Sequence, residues 1–175
     1  MNSSWARLVA FTVIVIAAAS GLSACSSPPA ADPGDGTGHT HIMDSEIATV
    51  NGLAPVGTPS VLKASVTVLD EIVNGVRHLV YRDTRAAGTR TPIHVHPSGG
   101  TTCLIYGEMT LFVEGLEPRI ARAGDCYWMP ADTPMYGYAS GSGDSTFFDS
   151  FNLTAGQDEW TVVESGQQAL NNNFG

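Results

Sequence analysis

Basic side chains are scarce in this chain. Its 175 residues carry eight Lys and Arg against seventeen Asp and Glu, a formal charge of −9. A surface of that sign removes the electrostatic basis for nucleic-acid binding and for polybasic attachment to anionic headgroups. The acidic residues are dispersed rather than blocked, which is the pattern of a solvated exterior. Cysteine occurs only as Cys25, Cys103 and Cys126 and never as CxxC, so dithiol redox chemistry lacks support. The motifs GxSxG, GxGxxG, HExxH and the P-loop are absent as well, and with them support for acyl-transfer and nucleotide-phosphate chemistry. No long segment holds a helical apolar period, and no internal repeat is visible.

The longest apolar run is Leu8 to Ala19 (LVAFTVIVIAAA), twelve residues without a charge. A comfortable transmembrane helix needs about 20. The run follows a short head whose one charge is Arg7 and ends in Ser20 and Gly21, the build of a signal-peptide core. The next residues, Leu22-Ser23-Ala24-Cys25, resemble the lipobox of bacterial lipoproteins. That resemblance implies removal of residues 1–24, lipidation of Cys25, and anchoring outside the cytoplasmic membrane, since two or more acyl chains hold stably where one does not. An ordinary secretory signal with an incidental cysteine is the plainer alternative; both make the protein exported. Loss of residues 1–24 leaves 151 residues with a formal charge of −10. Residues 25–45, rich in Pro, Gly, Ser and Asp, read as a flexible linker. A single folded domain is expected over 46–170, with a frayed tail at 171–175. The linker's His39-Thr40-His41 has no enforced geometry and reads as incidental, with weak copper or zinc capture as the alternative.

From Pro59 onward the chain alternates short β-like runs with turns. Val61–Leu69, Val76–Arg82, Thr91–His96, Thr102–Tyr106, Met109–Val113, Arg119–Arg122, Cys126–Met129, Met135–Ala139, Thr146–Leu153 and Trp160–Glu164 are the expected strands, with Asn74-Gly75 as a two-residue hairpin turn. Many short strands at regular spacing point to an all-β sandwich or barrel. The chemical centre is His94-Val95-His96. Residues at i and i+2 of a strand share a face, so both imidazoles enter one interior space, and imidazole is a common transition-metal ligand.

Gly88, His94, His96 and Gly107 match the first motif, G(X)5HXH(X)3-4E(X)6G, of the cupin superfamily, and Gly124 and Pro130 match part of its second, G(X)5PXG(X)2H(X)3N. The chain from about Ser60 to Leu153 resembles that superfamily, which implies a jelly-roll β-barrel of two antiparallel sheets. Where the family pattern has its glutamate this chain has Gly100, and where it has its second-motif glycine, histidine and asparagine it has Asp132, Met135 and Ala139. Of the family's four ligands only His94 and His96 remain. Three readings follow: a divalent transition metal or copper ion held by His94, His96 and a substitute; a metal-free pocket in which the pair binds an organic ligand; or a structural pair. Met135 is the leading substitute, because a thioether is soft and favours copper; His78 and an inward Asp132 are others. Cys103 is expected to point outward, and Cys126 is not placed by the pattern. A Cys103–Cys126 disulfide and two buried free thiols stay equally open. Tyr127, Trp128, Tyr136 and Tyr138 are expected to serve packing, with a ligand-stacking wall as the sharper alternative. The expected function is a membrane-anchored lipoprotein that binds a small molecule, and a metal, in its barrel. A metallo-cupin oxygenase or isomerase is the alternative, a metal-free isomerase a smaller one, and the resemblance leaves room for a homodimer.

Overall fold

The computed structural model describes residues 47–172. The signal segment, Cys25, the linker with His39 and His41, and the last three residues of the tail lie outside them. Twelve strands are found among the described residues: β1 (Thr58–Pro59), β2 (Ala64–Val73), β3 (Val76–Arg85), β4 (Thr89–Arg90), β5 (His94–Val95), β6 (Gly100–Tyr106), β7 (Glu108–Val113), β8 (Arg119–Arg122), β9 (Cys126–Met129), β10 (Met135–Tyr138), β11 (Ser145–Thr154) and β12 (Thr161–Val162). They form two sheets. One runs β2-β3-β11-β6-β9. In the other, β10 pairs β7 along one edge and both β4 and β5 along the opposite edge; β8, β1 and β12 extend it. All pairings between strands are antiparallel except β1 with β4. This is the expected all-β jelly roll.

Alternation along the strands explains why the sheets face each other. Leu79 and Tyr81 of β3, Leu104 of β6, Phe147, Phe151 and Leu153 of β11 meet Met109, Leu111 and Val113 of β7 and Met135 of β10 in one buried cluster. The intervening residues of the second sheet, Phe112 and Tyr136, point the other way. They stack at 4.5 Å and join Val50 and Ile93 in a smaller cluster. Asn74 and Gly75, both at positive φ, close the β2–β3 hairpin as expected. Between β6 and β7 the chain passes from one sheet to the other through one residue, Gly107. It holds φ +82°, and a Cβ there would stand 2.7 Å from the Asp144 carbonyl oxygen, so only glycine fits.

Several boundaries differ from the sequence expectation for local reasons. The expected strand Thr91–His96 is two short ones, β4 and β5, separated at Pro92, which has no N–H to give to a ladder. The expected start of β2 at Val61 moves to Ala64, and β2 carries a bulge between Thr67 and Leu69. Asn171, expected in the frayed tail, belongs to a 3-10 helix (Gln168–Asn172), and its side-chain oxygen accepts a hydrogen bond from Val162 N at 2.9 Å.

Candidate functional site

His94 lies in β5 and His96 just beyond it, held by a bridge to Ala131. Both side chains point into the barrel, each only 4% exposed. Three short contacts fix them. His94 Nδ1 lies 2.8 Å from the Pro92 carbonyl oxygen, His96 Nδ1 lies 2.7 Å from the Glu159 carbonyl oxygen, and the two Nε2 atoms face each other at 3.1 Å. A carbonyl oxygen only accepts, so each Nδ1 must carry its hydrogen. Two neutral rings hold two hydrogens, and both are used. The Nε2–Nε2 contact then joins two lone pairs, and a shared cation is what stabilises it: an extra proton or a metal ion. A proton is disfavoured. Burial, then the neighbouring His96, and also Arg85, push His94 well below the ordinary imidazole range; burial pushes His96 down to about 4. The donor set fits a metal, because two nitrogens each about 2.1 Å from one ion stand about 3 Å apart as neighbours in its shell. The Trp160 ring packs edge-on against His94 at 4.6 Å, and Phe151 lies over His96 at 5.1 Å.

A buried ion pair braces this strand. Arg90 donates to both carboxylate oxygens of Glu164, at 2.6 and 2.7 Å, and Glu164 also accepts from Ile93 N, the residue before His94, at 2.7 Å.

The opposite wall is polar. In register across four strands stand Tyr81, Asp149, Thr102 and Tyr127, all pointing inward. The Thr102 hydroxyl donates to Asp149. Arg85 and Asp83 share that interior, with both Asp83 oxygens and Arg85 Nε lacking a geometric hydrogen-bond partner. Between the walls is a cavity of about 40 Å³, room for about three water-sized molecules. It is bounded by the two imidazoles, Arg85, Asp149, Thr102 and Tyr127 together with apolar side chains. Burial, then Asp83, raises Asp149 to about 7; burial raises Asp83 to about 6 and lowers Arg85 to about 10.

These shifts oppose one another in stability. Between about pH 4 and 6.5 the unfolded chain protonates His94 and His96 while the folded metal-free protein does not, so their contribution rises with pH. From about pH 4 to about 6 for Asp83 and 7 for Asp149 the folded carboxyls keep protons that the unfolded chain has released, so theirs falls. The Asp149→Asn variant therefore steepens the rise, gaining roughly 4 kcal/mol relative to wild type between acid and neutral pH. Urea midpoints across that range measure it; parallel profiles for the two proteins would refute the assignment.

The other expected site residues are distributed as follows. Met135 is fully buried and stands directly opposite His94 in register, but it is not among the residues lining the cavity. Asp132 is not inward: it sits exposed in a left-handed turn at φ 50°, with its N–H donating to the His96 carbonyl. His78 faces the outside of its sheet, 2.8 Å from Asn152 Oδ1. Cys103 points outward as expected, and β6–β9 register sets it opposite Cys126, to which it is disulfide-bonded. Tyr127 borders the cavity, Trp128 is 60% exposed, and Tyr136 and Tyr138 belong to the outer cluster. Among the described residues no three or more His, Cys, Asp or Glu lie close enough to hold an ion. Sequence reading passed over Asp83, Arg85 and Asp149. Their signal was parity: Asp83 and Arg85 continue the inward series Leu79, Tyr81, and Asp149 lies between inward Phe147 and Phe151.

No family model and no curated protein matches this chain. Solved structures do. The DMSP lyase DddQ of Ruegeria pomeroyi DSS-3 superposes with a TM-score of 0.50 and 17% identity over 60% of this chain and 52% of its own. A cupin-like protein of Thermotoga maritima gives 0.50 and 17% over 61% and 80%. The chain spans about half the length of the lyase. Together with the two-sheet topology and the inward histidines, these likenesses establish the fold: this is a protein of cupin fold.

Proposed function

We propose that this protein is an exported, lipid-anchored cupin that binds a transition-metal ion, together with a very small ligand, inside its barrel at His94 and His96. The observation that carries the reading is the hydrogen count: two neutral rings, three short contacts, and a lone-pair contact of 3.1 Å left to be bridged. Met135, the soft donor expected from its place in the motif, stands opposite His94 in register but does not line the cavity. A bound ion supplies a positive centre that polarises a ligand oxygen. Elemental analysis of the untagged full chain, in a background carrying His39→Ala and His41→Ala, tests the reading. One metal per chain is expected, and none after His94→Ala/His96→Ala; equal loading of both would refute it. The anchor rests on Leu22-Ser23-Ala24-Cys25 alone, and Cys25→Ser is expected to move the protein from the membrane to the soluble fraction.

The polar wall favours a second reading, a metallo-cupin enzyme of the oxygenase or isomerase class. Asp149, with a carboxyl near 7, faces the imidazole pair across the cavity and is suited to exchange a proton at neutral pH. In that reading Asp149→Asn keeps its metal and loses turnover.

A further inference from the structure

We propose that the very small ligand of this cavity is a carboxylate of formate size, and that the guanidinium of Arg85 holds it. The proposal rests on the reading above that the barrel takes such a ligand, and it names the ligand's chemical class and its anchor.

Arg85 ends β3, is 1% exposed, and borders the cavity together with the two imidazoles. A guanidinium carries five N–H donors. Among the described residues Arg85 is given one acceptor: Nη1 donates to the Ser60 carbonyl at 3.0 Å. Its Nε is buried without a partner, and none of the ion pairs among those residues includes it. Arg90 shows the contrast. It is buried too, yet Glu164 meets it at two points and two carbonyls take further donors. The fold compensates one buried guanidinium in full and leaves the other beside a cavity. Burial lowers Arg85 to about 10, so it stays charged at neutral pH. A buried cation without a counter-ion is costly, and an anion bound in the adjoining space removes that cost.

The two carboxyl groups of the same interior do not fill that role. Neither Asp83 nor Asp149 comes within ion-pair distance of Arg85. Burial raises them to about 6 and about 7, so near pH 6 Asp149 is largely a neutral acid, a donor rather than a competing anion. Asp149 is faced by Tyr81, Asp83 and Arg85 of β3, Thr102 of β6 and Tyr127 of β9, with His94, His96 and Glu159 bordering the same cavity. Glu159 is half-buried, and water screens its charge.

Size and shape narrow the class. The cavity has room for about three water-sized molecules, and formate has three heavy atoms. A carboxylate presents two oxygens in the spacing of the paired N–H groups of a guanidinium. Leu62, Met109 and Leu111 make the neighbouring wall apolar, which suits a ligand with no second polar end.

The test titrates carbon-13 formate into the untagged, metal-free full chain at pH 6, with formamide as the neutral molecule of the same size, followed by NMR and calorimetry. One formate per chain is expected, with formamide weaker by about 20-fold or more. Arg85→Met is expected to fold, since it removes a desolvated charge, and to lose formate affinity by about 20-fold or more. Arg85→Lys keeps the charge without the paired donors and is expected to lose about fivefold. Raising the pH from 6 to 8 is expected to weaken formate by about fivefold as Asp149 ionises, a loss that shrinks in Asp149→Asn. Formate bound equally by wild type and Arg85→Met overturns the proposal, as does equal binding by Arg85→Lys if the Met variant does not fold. An affinity that is the same at pH 6 and 8 overturns the part given to Asp149. Formamide bound as tightly as formate overturns the carboxylate class and leaves the small-ligand reading standing. Formate taken up by the metal-loaded protein alone, and unaffected at Arg85, overturns the anchor while leaving the metal reading intact. Neither molecule bound by either form overturns the proposal and the small-ligand reading together, and elemental analysis still judges the metal separately.

Discussion

Replacing Glu164 with Ala is expected to destabilise the domain by about 3–5 kcal/mol, the usual result of removing one member of a buried ion pair. The side chain meets Arg90 in a two-point contact and caps Ile93 N, and both partners are shielded from water. Its loss leaves the Arg90 guanidinium uncompensated. Arg90 keeps only its bonds to the Gly57 and Thr91 carbonyls and its position over the Tyr136 ring. Removing both charges is a different matter: Arg90→Met/Glu164→Leu is expected to recover most of the lost stability, because the desolvation cost disappears with the pair. Urea denaturation of the three proteins checks this. A single variant within about 1 kcal/mol of wild type would mean that the pair is not buried in solution. The consequence reaches the site, because the residue that Glu164 caps is the one that precedes His94.

A Gly100→Glu substitution is expected to be more damaging still and to restore nothing. The motif resemblance puts a carboxylate at this position, so the change is the obvious attempt to rebuild a missing ligand. The space is already occupied: a Cβ meets Phe151 at 2.7 Å and Met129 at 2.9 Å, distances at which neighbours must move. Overpacking alone costs about 1–3 kcal/mol, and an unpaired carboxylate in an apolar interior adds several more. The Glu variant is expected to be unfolded or insoluble. Gly100→Ala, as the measurable companion, is expected to fold with a loss of about 1–3 kcal/mol. A stable Gly100→Glu protein with raised metal affinity would show that the cavity is roomier and harder in character than described. The missing glutamate is therefore not a gap in the fold, since Phe151 and Met129 have grown into it.

Much of the architecture could be read from residue order. Asn74-Gly75, Gly107 and Gly124 mark turns whose backbone demands glycine or asparagine, and all four hold positive φ. The strands Arg119–Arg122 and Cys126–Met129 fall where alternation puts them. The shared face of His94 and His96 follows from parity, which needs only two neighbouring residues. What stayed hidden depends on pairing across long separations. Cys103 meets Cys126 because β6 and β9 are neighbours in one particular register. Asp149 meets Thr102 because β11 lies beside β6, 47 residues away in sequence. The Arg90–Glu164 contact spans 74 residues. Asp132 misled for a local reason: parity holds only on a strand, and Asp132 sits in a left-handed turn that sends its carboxylate outward.

The central claim is that both imidazoles carry hydrogen on Nδ1 and offer bare Nε2 atoms to one ion. Nitrogen-15 NMR of the histidine rings tests it most directly. In the metal-free protein at neutral pH, His94 and His96 should both read as neutral Nδ1–H tautomers. One equivalent of a diamagnetic ion, Zn(II) or Cu(I), should then shift both Nε2 resonances together and leave both Nδ1 resonances as donors to the carbonyls. An imidazolium, or an Nε2–H tautomer in either ring, that persists unchanged on adding metal would contradict the account.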